Sequence, residues 1–542
     1  MSTTTTTTVT PKTPWQVIAA EKRESASSLI PQEWRLSEAD ILRHREGGKP
    51  LLDVPATCGV LTESEIAITQ NYDATALLRL LAQGDLTAVE VTTAFCKRAA
   101  TAHQLTNCLT EIMFQQAIQR ANYLDEYYKR EGKTCELLHG LPISVKDSFH
   151  VEGVESTLGY VSFIGRTKAT RNAPLVGILL ELGAAIYVKT NVPQTLMTGD
   201  SDNNVFGRVL NPHNVDLNAG GSSGGEGALI ALRGSLLGVG TDIGGSIRIP
   251  ALCCGLYGFK PTGNRVLYGG QQSPGRAGSP GFKACAGPLA TSFRDLTLFM
   301  SAVLSRSPWN RDSCQARYKI GVLVEDPKYP VHPPVRRALS AAVDTLTKTP
   351  HQFELVFLDS APKAGEALDI ASDFFSLDNS KTLLKNITAS GEPMVPSVRK
   401  TLGLTDKKPQ GYTMEELFDL NCARADLIER WNEVWVNNRL DLILGPSSQT
   451  TAALHDSWGT SPYTTLWNCL DYPSVVIPYL KADKSIDMDS LAVSDDEHPY
   501  SAQVSHGAPI SIQLSARPLH DESLLQAAEA VDHCLKGFQQ AH

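Results

Sequence analysis

The sequence predicts an α/β fold, a β-sheet covered by helices, and three observations predict it. Between residues 137 and 250, short apolar runs alternate with helical patterns across short links, the pattern of strand–helix–strand units. The same style returns near the C-terminus. Composition agrees, since 42% of the 542 residues are apolar and 20% charged, the balance of a globular protein with a large core.

Each element has its own signal. Leu77, Leu78, Leu80 and Leu81 form a helical stripe that stops at Gly84, and Thr87-Ala88-Val89-Glu90 is a capping box opening a second helix through about Ala102. Residues 141–145 read as a strand, 175–182 as a helix ending at Gly183, and 184–188 as the next strand. Residues 226–232 follow as a helix and 236–239 as a strand. Further on, 440–444, 474–477 and 510–514 read as strands and 524–535 as a closing helix. The acidic, polar stretch 481–505 reads as a surface loop. Residues 1–60 carry a threonine run, prolines and charged clusters. They read as an irregular N-terminal extension, partly disordered and then wrapping the body, and 61–542 reads as a single domain with no linker signal inside it.

Several function classes are excluded at this level. A net charge of −9 without a run of five or more Lys/Arg argues against nucleic acid or an anionic membrane surface as partner. No apolar stretch reaches the ~18 residues of a membrane span, and the N-terminus lacks a basic segment followed by an apolar one. Eleven isolated cysteines with no CxxC pair signal neither a zinc cluster nor a redox site, and fit buried thiols in a reducing, cytoplasmic compartment.

The densest chemistry lies in Gly220-Gly221-Ser222-Ser223-Gly224-Gly225-Glu226-Gly227 and in Thr241-Asp242-Ile243-Gly244-Gly245-Ser246-Ile247-Arg248-Ile249-Pro250. Neither ends in the Gly-Lys-Ser/Thr of a phosphate loop, and Gly238-x-Gly240 fails the dinucleotide pattern at Ile243. Gly220-x-Ser222-x-Gly224 matches a nucleophile elbow, which would make Ser222 the nucleophile of an esterase. That motif needs a strand directly before the serine, and the turn-rich 211–218 does not supply one. The second segment has the better geometry. A short strand leads into Gly244-Gly245-Ser246, where glycine backbone lets N–H groups converge on one oxyanion. The plainer alternative is a tight turn with a helix-capping serine. A serine nucleophile needs a base, and Lys146 closes the apolar strand before it. Its pKa of about 10.4 must fall by about three, roughly 4 kcal/mol, which burial supplies. Taken alone, Lys146 equally fits a strand-end ion pair.

The composite is more specific than its parts. His139-Gly-Leu-Pro-Ile-Ser-Val-Lys146-Asp147, then GGSSGGEGALIALR from Gly220, then GVGTDIGGSIRIPA from Gly238, in that order, resembles the amidase signature family, and the chain looks most like its fungal acetamidase-type amidases. The resemblance implies a central mixed, twisted sheet with helices on both sides and a Ser–cisSer–Lys triad. By motif position Ser246 matches the nucleophile, Ser222 the bridging serine and Lys146 the base. Ile243, Gly244, Gly245 and Ser246 match the oxyanion N–H donors, and Ser223 an auxiliary hydroxyl. Thr195, Leu196, Met197 and Gly199 match a substrate-binding wall. Asp242 and Arg248 bracket the loop and read as a structural ion pair. The implied function is hydrolysis of a small-molecule carboxamide through an acyl-enzyme, with no cofactor and no metal. The alternatives are amide or ester cleavage or acyl transfer on a specialised metabolite, and a non-catalytic or heteromeric subunit. A homodimer is the assembly common among relatives.

Overall fold

The computed structural model describes residues 13–276, 278, 280–306, 317–405, 408, 410–493 and 499–539. Their strands are β1 (Leu109–Ile112), β2 (Pro142–Lys146), β3 (Ala185–Thr190), β4 (Leu237–Asp242), β5 (Tyr257–Lys260), β6 (Cys285–Ala290), β7 (Tyr318–Val322), β8 (Phe353–Phe357), β9 (Leu442–Pro446), β10 (Ser474–Lys481) and β11 (Pro509–Ser515). They form one sheet in the order β1-β3-β2-β4-β6-β5-β10-β11-β9-β7-β8. It is mixed: β3, β2 and β4 run parallel, the middle pairs are antiparallel, and β9, β7 and β8 are parallel again.

The sheet is apolar because it is covered. Every residue of β2, β3 and β4 is buried, as strands packed on both faces require. Most strands and the helices on them share one cluster that runs from Ile30 to Leu535, and a second cluster holds Ile443, Ile510, Trp431 and Trp467. Local signals set the helix ends. Helix Ala74–Gln83 stops at Gly84 in the left-handed conformation, and Ala88–Thr106 starts from the Thr87/Glu90 capping box, four residues longer than its pattern suggests.

The first 60 residues depart from their reading as irregular chain. Helices Pro14–Ser28 and Glu38–Arg45 lie within them. The cause is local, since Thr13 and Gln16 form a capping box and Pro14 takes the first helical position, where its missing N–H costs nothing. Lys22 of the first helix pairs with Glu111 on β1 at 2.7 Å and with Glu155 at 2.9 Å. The threonine tail lies outside the described residues, as do 494–498 of the stretch read as a surface loop. Part of that stretch is tied down: Asp487 is buried and paired with Arg337. Among the described residues no helix is long and apolar enough to cross a membrane.

Candidate active site

Two parallel neighbours in the sheet bring the site together. β2 ends at Lys146 and β4 ends at Asp242, with Ser144 opposite Gly238 in register. Thr241 and Asp242 lead into the Gly244-Gly245-Ser246 loop, and helix Arg248–Cys254 follows it. Ser222 and Ser223 sit directly before helix Gly224–Ala231. No strand enters Ser222, because Leu217 and Asn218 make only isolated bridges. That is the condition on which the nucleophile-elbow reading fails.

Lys146 is fully buried. Its Nζ donates to Ser222 Oγ at 2.7 Å and to Thr241 Oγ1 at 2.9 Å. Burial pulls its pKa down to about 7, and the carboxylates of Asp242 and Glu226 oppose that only in part. The peptide bond between Gly221 and Ser222 is cis. Ser222 and Ser246 both line one cavity of about 260 Å³. Ser223 is buried behind them. Its N–H donates to the Ser246 carbonyl at 3.2 Å, and among the described residues its hydroxyl has no hydrogen-bond partner.

Asp242 builds the loop around Ser246. Its carboxylate accepts from Arg248 Nε and Nη2, both at 3.0 Å, from Asn468 at 2.9 Å, and from the N–H groups of Gly245 at 2.9 Å and Ile247 at 3.1 Å. The Arg248 guanidinium beside it overcomes the cost of burial and holds the Asp242 carboxyl well below the usual carboxylate range. Both side chains are fully buried. In this network the N–H of Gly245 donates to Asp242. Among the described residues the N–H groups of Ile243, Gly244 and Ser246 have no backbone acceptor.

Two cavities meet at Ser246 and share Leu196, Met197, Ile243 and Phe375. The first carries Tyr268, Phe282 and Phe374, with Phe282 edge-on to both phenylalanines. The second, about 250 Å³, is walled by Gly199, Tyr329, Trp458, Ser461 and Thr465. Of the wall residues expected from sequence, Leu196, Met197 and Gly199 face these spaces. Thr195 does not. It is fully buried at positive φ, and its hydroxyl turns inward to the Met197 N–H. Sequence reasoning missed Thr241, the partner of Lys146, and Glu226, the lone acid in an otherwise apolar helix, which is a readable signal. It also missed Phe374 and Phe375, which lie in a region where no element had been assigned.

A mixed α/β sheet that joins a buried lysine to a serine, beside a second serine in a shared cavity, is the arrangement expected of a serine-dependent hydrolase. The chain belongs to the amidase family: the family model "Amidase" matches residues 90–525. It is 38% identical over 536 residues to an amidase of Gibberella moniliformis, covering 96% of this chain and 99% of that protein. It is 37% identical to an acetamidase of Aspergillus oryzae, covering 97% and 99%. Among solved structures it is similar to a fatty acid amide hydrolase, with a TM-score of 0.90, 32% identity and coverage of 96% and 95%. A bacterial aryl acylamidase of the amidase signature family shares the fold, with a TM-score of 0.69 at 22% identity. The protein is an amide-hydrolysing enzyme.

Proposed function

We propose that Ser246 is the nucleophile, Ser222 the proton bridge and Lys146 the base of a carboxamide hydrolase. The observation that carries this is the fully buried Lys146 Nζ at 2.7 Å from Ser222 Oγ, with Ser222 and Ser246 lining one cavity. Neutral Lys146 takes the proton of Ser222, and Ser222 takes that of Ser246 as its Oγ attacks the carbonyl carbon. The N–H groups of Ile243, Gly244 and Ser246 hold the oxyanion. As the C–N bond breaks, the proton returns through Ser222 to the departing nitrogen, which leaves as ammonia or amine. Water then attacks the Ser246 ester, regenerating the hydroxyl and releasing carboxylate. Asp242 and Arg248 hold the loop. Ser223 packs under it.

The substrate is a small-molecule amide with arms on both sides of the scissile bond. Two cavities of about 260 and 250 Å³ meeting at Ser246 exceed what acetamide fills, which favours an amide of a larger, specialised acid or amine. Residues 61–542 work as one domain with the described part of the N-terminal segment, 13–60, packed against it, and the enzyme acts in the cytoplasm on diffusible substrate. The test is Ser246→Ala assayed on short aliphatic amides beside bulky aryl amides. Turnover falls at least about ten-thousandfold on every substrate, and the wild type prefers the bulky set. Residual turnover near wild type refutes the assignment.

A further inference from the structure

We propose that Glu226 is the counter-charge of Lys146, a positioning residue that stabilises the ammonium formed when Lys146 takes the proton from Ser222. This rests on Lys146 acting as base. Glu226 stands in the first turn of helix Gly224–Ala231, immediately after Ser222 and Ser223, and is fully buried. Ser144 Oγ donates to one carboxylate oxygen at 2.6 Å, and Thr190 Oγ1 donates to the other at 2.8 Å. Both hydroxyls belong to the frame of Lys146. Ser144 lies two residues before it on the same face of β2, and Thr190 is its register partner on β3. One carboxylate therefore ties the helix that begins at the serines to the strand that ends at the lysine. The space is cut for it: a Cβ on Gly238 would lie 2.0 Å from Glu226 Oε2 and 2.5 Å from Ser144 Oγ.

The charges around the pair leave this role to Glu226. From β4, Asp242 acts on Lys146 more strongly than Glu226 does, but it is already paired with Arg248, and Lys260 lies near it. From β3, Tyr187, and beside it Cys108, are kept neutral by burial. Lys189 turns away to Asp147, Ser156 and the Glu155 carbonyl. Among the described residues the only cation acting on Glu226 is Lys146, and burial lifts the Glu226 carboxyl to about 7. A proton arriving at Lys146 meets the Glu226 carboxylate across a low-dielectric site.

The experiment is the pH dependence of kcat and kcat/KM for Glu226→Gln, with Thr190→Val beside it. Without the anion, Lys146 loses its proton more readily, so the acid limb moves down by about one pH unit. The ammonium also forms less readily, so plateau kcat falls at least about tenfold while KM holds. Thr190→Val, which only weakens the carboxylate's support, shifts the limb the same way by less and covers the case in which Glu226→Gln does not fold. An unmoved acid limb in both variants, whatever happens to the rate, overturns the proposal. Lys146→Met measured alongside separates the readings: if that variant keeps wild-type turnover, the base assignment itself has failed.

Discussion

Replacing Lys146 by methionine abolishes turnover and yet makes the protein more stable, by an amount that depends on pH. The lysine moves from an ordinary pKa of 10.5 in the unfolded chain to about 7 in the fold. Between those values the unfolded state binds more protons than the native one, so stability rises with pH through this window. At pH 7 the penalty for burying the amine is about 4 kcal/mol, and by pH 9 it is about 2 kcal/mol. Methionine fills much the same volume without that penalty. It leaves the hydroxyls of Thr241 and Ser222 without their lysine partner, at about 1 kcal/mol each. The variant therefore gains about 2 kcal/mol at pH 7 and about zero at pH 9. Urea midpoints of both proteins at the two pH values give the comparison. A difference between variant and wild type that is the same at pH 7 and pH 9 refutes the reasoning, because Lys146 would then be charged in the fold.

Three other predictions bear on the same site. The wild-type kcat/KM rises with pH through about 7, as Lys146 loses its proton, and a pH-rate profile without a limb there contradicts a neutral lysine base. Asp242→Asn strands the buried Arg248 guanidinium with Gln513 and Asn468 and costs about 3–5 kcal/mol in a denaturant titration. Because the carboxyl is held below its unfolded pKa, the wild-type share of that stability is present above about pH 4 and lost on further acidification. Gly199→Ala drives a Cβ to 2.3 Å from Trp458 Cδ1. It costs about 1–3 kcal/mol of stability and lowers kcat/KM for bulky amides more than for short ones.

Much of the site was legible because its chemistry is local. Lys146 ends an apolar strand, Ser246 follows one through two glycines, and the Thr87/Glu90 box and Gly84 mark helix ends by their own hydrogen bonds. What escaped depends on packing. β5 is only four residues long and β6 carries Gly287 and Pro288 in its middle, so neither offers a β-branched run. The long helix Met414–Asn438 starts from a Thr413/Glu416 capping box that passed unread among charged residues. The spending of the Gly245 N–H on Asp242 follows from how the loop folds back on itself. Glu226 was visible as an acid in an apolar helix, but only its two hydroxyl partners, from strands far away in sequence, show what it faces.

The most direct test of the account is where an acyl-mimic lands. Wild-type protein treated with a fluorophosphonate, digested and mapped by mass spectrometry carries the adduct on Ser246, and Lys146→Met labels far more slowly at the same residue. An adduct on Ser222, Cys253 or Cys254, or undiminished labelling of Ser246→Ala, contradicts it.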